Sequence, residues 1–347
     1  MGYHRNCVAL ARGCIRRCGI LAFGLALIAS PAWTDEAKVL RVNAFPNAKV
    51  LPLHAGIANG IFAKHGLKVE LHLTENSRSQ RDGLAAGTFD IVHSAVDNAL
   101  AMIEIGKHDV VIVAGGDSGM NEFFVQPEIK SFADLRGRTL VVDAPNTAYA
   151  LQAKKILLQR AGLRAGADYT VKPVGAGVFR LKAMAESKDN AAAILNLPFT
   201  VQAEQRGMRS LGRTTDLVGP YQAAGAFVMR AWARENGGAL ERYLEAYIEA
   251  LRWVRDPANR PINVALLTDK LKISASEAER TYELLMDPAF GFTPRRQIRP
   301  RRFQQRPGDA GGDRRRPAGF AAALPRSRLL RAGGQTSRPL RGTPSFG

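Results

Sequence analysis

Cysteine is almost missing from this chain: Cys7, Cys14 and Cys18 are its only three, all near the N-terminus. Beyond Cys18 there is no thiol, which excludes disulfides, Cys-ligated metals and a cysteine nucleophile from the rest of the protein. Histidine is scarce too. His65, His72 and His108 show no paired metal-ligand spacing, so a metal site is not expected. The pairs Gly115-Gly116 and Gly175-Ala176-Gly177 are too little for a nucleotide-binding fingerprint. Gly-x-Ser-x-Gly and His-Glu-x-x-His are both absent, so neither a hydrolase elbow nor a zincin helix is indicated. No cofactor is implied, and the chain does not read as an enzyme.

Acidic residues are missing from the N-terminal segment and rare in the C-terminal one, which accounts for most of the net charge of +18. The N-terminal segment holds Arg5, Arg12, Arg16 and Arg17 and no acid. The final stretch, 293–347, holds 14 arginines, no lysine and only Asp309 and Asp313 as acids. The span between them is close to neutral, so the basic character belongs to the two ends. At the N-terminus, Arg16-Arg17 precede an apolar run from Cys18 to Ala29, and Ser30-Pro31-Ala32 follow as small residues. This is the pattern of an export signal over 1–32, with cleavage expected after Ala32 and a periplasmic destination. The run falls short of the ~20 residues that span a bilayer as a helix, although an uncleaved anchor is the alternative.

The apolar fraction of 46% suits a globular protein with a sizeable core. From Val39 onward strand and helix patterns alternate. Strands are expected at 39–45, 67–73, 89–93 and 109–114, and helices at 52–59, 79–86 and 97–104. The alternation restarts with a turn at 131–135, strands at 139–143, 169–174 and 191–195, and helices at 147–161, 178–187 and 202–206. A return strand at 226–229 and two long helices, 238–255 and 274–286, follow. This order predicts an α/β protein in which each of two units is a mostly parallel sheet flanked by helices. The expected organisation is a first lobe over 36–120, a second over 121–222, and a return to the first over 223–292. The chain would cross between lobes near 115–127 and 219–224.

Three phrases carry a family resemblance. The first runs Leu51-Pro52-Leu53-His54-Ala55-Gly56-Ile57-Ala58-Asn59-Gly60-Ile61-Phe62-Ala63-Lys64-His65-Gly66-Leu67-Lys68-Val69. The second is Leu84-Ala85-Ala86-Gly87-Thr88-Phe89-Asp90-Ile91-Val92, and the third extends from Ile129-Lys130 through Asp134-Leu135-Arg136-Gly137 to Val141. In their order and spacing they resemble the solute-binding proteins that include nitrate, alkanesulfonate, taurine and thiamine-pyrimidine binders. The resemblance covers about residues 36–292. It implies the two-lobed type II periplasmic-binding-protein fold, with a small-molecule solute captured between the lobes for an ABC importer. The partners implied are that solute and the membrane permease subunits, with the protein itself a monomer.

Ligands of open α/β sheets bind beyond the carboxyl ends of strands, near helix N-termini that favour anions. That placement selects Phe45 and Asn47 after the first strand, and His93, Ser94 and Asn98 after the third. In the second unit it selects Thr147 and Tyr149 at a helix start, and Asn196 and Phe199 after the short strand. The hydroxyls and amides would hold a polar head group, while the aromatic rings would cover an apolar or planar portion. Ordinary roles compete: Thr147 and Asp97 are natural N-caps, and Phe199 suits helix packing. His54 is expected to face either the cleft or solvent. A small organic anion, a sulfonate or an aromatic carboxylate, is the leading solute. Yet these loops hold no arginine, and Arg180 is the one plausible bidentate partner. A neutral or cationic heterocycle therefore stays open, as does an exported ligand sensor without a transport role.

Two rival classes have specific weaknesses. The thiamine-pyrimidine branch includes a synthase associated with a cysteine-rich motif, which this chain lacks. Nucleic-acid binding is suggested by the arginines of 293–347, but export would remove the protein from that compartment. That tail has no helical or strand period. It reads better as the product of a frameshift after Pro294. Among the codons permitted for Arg302-Phe303-Gln304-Gln305-Arg306-Pro307-Gly308-Asp309-Ala310 is a choice that, read one base later, encodes Gly-Phe-Asn-Asn-Val-Leu-Ala-Met. The expectation is an unstructured tail and no nucleic-acid role.

Overall fold

Alternation of apolar and polar residues makes Lys38–Ala44 (β1) and Leu67–Leu73 (β2) strands, and they pair in parallel with Lys38 opposite Leu67. Between them lie Leu51–Ala58 (α1), with Pro52 in its first turn, and the short Ile61–Lys64 (α2). These come from a computed structural model, which describes residues 36–292 except 118 and 220. The segment read as an export signal and the arginine-rich tail lie outside the described residues. Ser77–Ala85 (α3) is capped by Asn76, whose Oδ1 accepts from Ser79 N at 2.9 Å. Ile91–Ala95 (β3), Val96–Glu104 (α4) and Val110–Gly115 (β4) complete the first run.

The second run contains Asn121–Val125 (β5), Thr139–Val142 (β6), Ala148–Ala161 (α5) and Thr170–Pro173 (β7). Gly177–Glu186 (α6), Asn190–Asn196 (β8), Phe199–Gln205 (α7), Arg209–Arg213 (β9) and Thr214–Val218 (α8) follow. The chain then returns as Ala224–Met229 (β10), Arg230–Glu235 (α9) and Gly237–Arg255 (α10). Arg260–Leu271 (α11) and Ala275–Met286 (α12) close the described region, α12 starting at a Ser274–Glu277 capping box.

Two five-stranded sheets result, ordered β2-β1-β3-β10-β4 and β7-β6-β8-β5-β9. Each is parallel except for one strand: β10 runs antiparallel to β3 and β4, and β5 antiparallel to β8 and β9. The exceptions have a common cause. β5 and β10 are the strands entered directly after the chain passes from one sheet to the other. It leaves β4 at the end where the parallel strands finish, so the next strand must run away from that end.

The expected α/β architecture with two mostly parallel, helix-flanked sheets is therefore present, and the mixed strand in each is an addition to it. Several elements were not expected from the sequence. β9 holds a single apolar residue, Leu211, and survives as an edge strand paired only to β5. α11 begins at Arg260-Pro261, where proline reads as a breaker but is tolerated in a helix's first turn. α8 and α9 are too short to show a helical period.

The first sheet packs Leu40, Val42 and Ile91 against Leu53 and Phe62 on one side of the sequence and Tyr243, Ala246 and Tyr247 of α10 on the other. In the second, Phe123, Leu140 and Ile194 pack on Ile156 and Leu157 of α5. A further cluster joins Leu51 and Leu251 to Leu197, Val201 and Met120 through Leu267, Tyr282 and Leu285, with α11 packed on α1 and α12 on α7. Among the described residues no helix is long and apolar enough to cross a membrane.

Candidate functional site

The chain passes between the sheets at 116–120 and again at 219–223, and a cleft opens beside these two crossings. It encloses about 580 Å³ including its open mouth, within the size range of small-molecule sites. The first sheet contributes Phe45, Asn47 and Lys49 after β1 and His93 and Ser94 from β3; the second contributes Asn121 of β5 and Tyr149 of α5. Ala223 of the return crossing, Ala224 and Gly225 of β10 and Tyr247 of α10 complete the wall.

Five expected residues thus line one cavity: Phe45, Asn47, His93, Ser94 and Tyr149. Asn47 also caps the turn it begins, its Oδ1 accepting from Lys49 N at 3.0 Å. His93 Nε2 lies 2.6 Å from Tyr243 Oη, and its ring sits 4.7 Å from that of Tyr247. The other four expected residues stand behind the wall. Asn98 Nδ2 donates to Ser94 Oγ at 2.9 Å and to Ser77 Oγ at 3.3 Å. Thr147 is the N-cap residue of α5, but its hydroxyl donates to the Asp143 carboxylate and to Ala144 O and does not cap the helix. Asn196 Nδ2 donates to Tyr149 Oη at 2.9 Å. Phe199 is buried against Leu181 and Met184, the packing role the sequence allowed it.

Three sequence expectations need correction. Arg180 does not reach the cleft: it is 1% exposed, because it lies on the sheet-facing side of α6. Its Nε and Nη1 donate to the carbonyls of Ile194 and Gly175 at 3.2 and 2.9 Å, and the guanidinium lies 4.5 Å from the Tyr149 ring centre. Asp97 is not the N-cap of α4, which is Ala95. Its carboxylate accepts from Tyr221 Oη in the return crossing. Burial raises the Asp97 carboxyl above its ordinary range, partly offset by that hydrogen bond. Burial, reinforced by the Asp97 charge, raises the Tyr221 phenol. His54 is outside the cleft and lies near Lys270 and Asp269 of α11; burial first, then the Lys270 charge, lowers it to about 4.

The charged pair of the site was not anticipated. Lys49 Nζ lies 3.2 Å from Asp117 Oδ1 and 3.3 Å from Asn121 Oδ1. Lys49 is only two residues past Asn47, so the same strand-end argument reaches it. Asp117, Asn121 and Tyr247 carried no such signal, since sheet-to-sheet crossing and the distant α10 bring them there. A second set of contacts joins the halves away from the crossings. Ser77 Oγ donates to Asp143 Oδ2 at 2.6 Å, and Ala176 N to Glu75 O at 2.7 Å. Among the described residues no group of three or more His, Cys, Asp or Glu is arranged to hold a metal ion.

The arrangement is one of recognition: a small molecule in this cleft would meet hydroxyl and amide donors, an ammonium and aromatic faces from both sheets. A model described as the NMT1-like family matches residues 34–268. No curated protein matches the chain. A solved structure from Bordetella bronchiseptica RB50 is 19% identical, covering 76% of this chain and 86% of that one, with a TM-score of 0.66. The alkanesulfonate-binding protein SsuA from Xanthomonas axonopodis pv. citri, bound to MOPS, is 15% identical over 72% of this chain and 84% of that one, with a TM-score of 0.61. The periplasmic nitrate-binding protein NrtA from Synechocystis PCC 6803 is 17% identical over 70% of this chain and 69% of that one, with a TM-score of 0.59. At these identities the likeness establishes the fold, the type II periplasmic-binding-protein arrangement.

Proposed function

This chain belongs to the NMT1-like family, and from that premise we propose that it is the exported solute-binding component of an ABC importer, capturing a small organic anion of the sulfonate or aromatic carboxylate class. The observation that carries the reading is a single cleft lined by Asn47, Lys49 and Ser94 from one half and by Asn121 and Tyr149 from the other. A molecule bound there touches both halves at once, so its binding energy favours their approach and relaxes when it leaves. In this reading the first lobe comprises 36–120 and 223–292, and the second 121–222. The protein acts as a periplasmic monomer after removal of the segment ending at Ala32, and hands its solute to permease subunits.

Binding, not catalysis, is supported by how the polar side chains are engaged. His93 Nε2 is engaged with Tyr243 Oη, and Ser94 Oγ accepts from Asn98 Nδ2. A thermal-shift screen over sulfonates, nitrate, aromatic acids and pyrimidines, followed by calorimetry, tests the proposal. One class is expected to stabilise the protein with one-to-one stoichiometry and without turnover. Release of product would overturn the binding reading, and stabilisation by pyrimidines alone would redirect it to the thiamine-pyrimidine class. Failure of every small molecule would favour a sensor or protein-interaction role.

A further inference from the structure

Lys49 touches the cleft and the crossing segments at once. Its side chain lines the cleft but is only 12% exposed. An ammonium has three N–H donors, and here two are directed at Asp117 Oδ1 and Asn121 Oδ1. Asp117 in turn joins both crossings. Its Oδ1 accepts from the N–H groups of Gly119 and Met120 at 2.9 and 3.3 Å, and its main-chain oxygen accepts from Ala223 and Ala224 N at 3.3 Å. Asn121 opens the first strand beyond the crossing. The ammonium therefore belongs to the first half by sequence and is held by groups on the path to the second.

We propose that Lys49 reads the charge of the captured solute and transmits it to the crossings, with Asp117 as its built-in competitor. This rests on the solute-capture reading above. An anionic group entering the cleft takes the remaining N–H and competes with the Asp117 carboxylate for the same positive charge. Charge-assisted hydrogen bonds in a partly dry site are strong enough for this competition to set affinity. Residues Lys49 and Asp117 then act in opposite directions: losing the ammonium weakens anion binding, whereas neutralising its competitor strengthens it. A merely structural role would weaken binding of every solute in both variants.

The test titrates benzenesulfonate and benzoate, with their neutral isosteres benzenesulfonamide and benzamide, into the purified full chain by calorimetry. The wild type is expected to prefer the anions. Lys49→Met is expected to lose about 10- to 100-fold in anion affinity, the range for a hydrogen bond to a charged group, with the isosteres changed by less than about twofold. Lys49→Arg, which keeps the charge, restores the preference. Asp117→Asn keeps the acceptor oxygen for Gly119 and Met120, and is expected to raise anion affinity by about 3- to 10-fold. Anion preference retained in Lys49→Met overturns the proposal, as does a fall in anion affinity in Asp117→Asn. Should Lys49→Met fail to fold, the Asp117→Asn result decides alone. A wild type that binds anions and isosteres equally also overturns it. Binding of none of the four probes, or of any solute in the screen, removes the capture reading itself, and the proposal with it.

Discussion

Gly116 follows the last residue of β4, and its missing side chain is what lets the first crossing pass Ala224 of β10. A Cβ added there would stand 2.6 Å from the carbonyl carbon of Ala224 and nearer still to its oxygen, with the Ala224 Cβ at 2.9 Å. The obstacle is main chain, so no rotamer change relieves it, and β4 and β10 must separate locally. Overpacking of this kind costs about 1–3 kcal/mol. For a domain of this size each kcal/mol moves the melting temperature by about 2–4 °C, so Gly116→Ala is expected to melt about 2–12 °C lower. Gly237→Ala is the control. Nothing lies within 4 Å of its added Cβ at the start of α10, and alanine is favoured over glycine in a helix by about 0.5–1 kcal/mol. It should melt at or slightly above the wild-type temperature. Thermal melts followed by circular dichroism read both variants, and calorimetry with the identified solute should show weaker capture only for Gly116→Ala. A Gly116→Ala protein that melts with the wild type would refute the close approach of Gly116 to Ala224.

Three further outcomes are expected. Ser77→Ala removes the buried hydrogen bond to Asp143 that ties the halves, at a cost of about 1–3 kcal/mol for a bond to a charged acceptor; small-angle scattering should show a larger radius of gyration without solute, and an unchanged radius and melting temperature would count against the tie. His54 is lowered to about 4 from an ordinary value of 6.5, so between those values the folded protein binds fewer protons than the unfolded chain. Stability is therefore present above that window and lost as pH falls through it, by up to about 3 kcal/mol; His54→Gln should flatten the loss, and parallel stability profiles for the two proteins would sink the assignment. For residues 295–347, the encoding DNA read one base later should run on without interruption, and early stop codons in that frame would end the frameshift reading.

Five of the nine expected ligand residues line the cleft, and the reason is local. Phe45, Asn47, His93 and Ser94 sit at or next to the ends of strands whose hydrophobic alternation is plain in the sequence. The end of a parallel strand is where the fold delivers side chains to a ligand. Tyr149 follows from the first turn of a helix in the same way. Asn98, Thr147, Asn196 and Phe199 obey the same rule for their main chain, but their side chains turn back to support other residues. Asn196 holds Tyr149, Asn98 holds Ser94, and Thr147 holds Asp143. Sequence position does not show which way a side chain turns. Arg180 is the clearest case: it was legible as the one arginine near these loops, yet it is buried beneath Tyr149.

Local chemistry therefore determined the class of this protein: periodic apolar residues set most strands and helices, and glycine and proline set many of their ends. Its near-missing thiols and the location of most of its excess positive charge at the two ends were equally properties of the sequence alone. What the tertiary structure decided was the company each side chain keeps. The Lys49–Asp117 pair joins residues 68 positions apart, and Tyr247 reaches the same cleft from α10. Nothing periodic links such positions, because they meet only when two sheets pack, and the chain passes between them twice. The short edge strand β9 has the same origin: pairing with β5 compensates a segment whose own residues would not hold it extended.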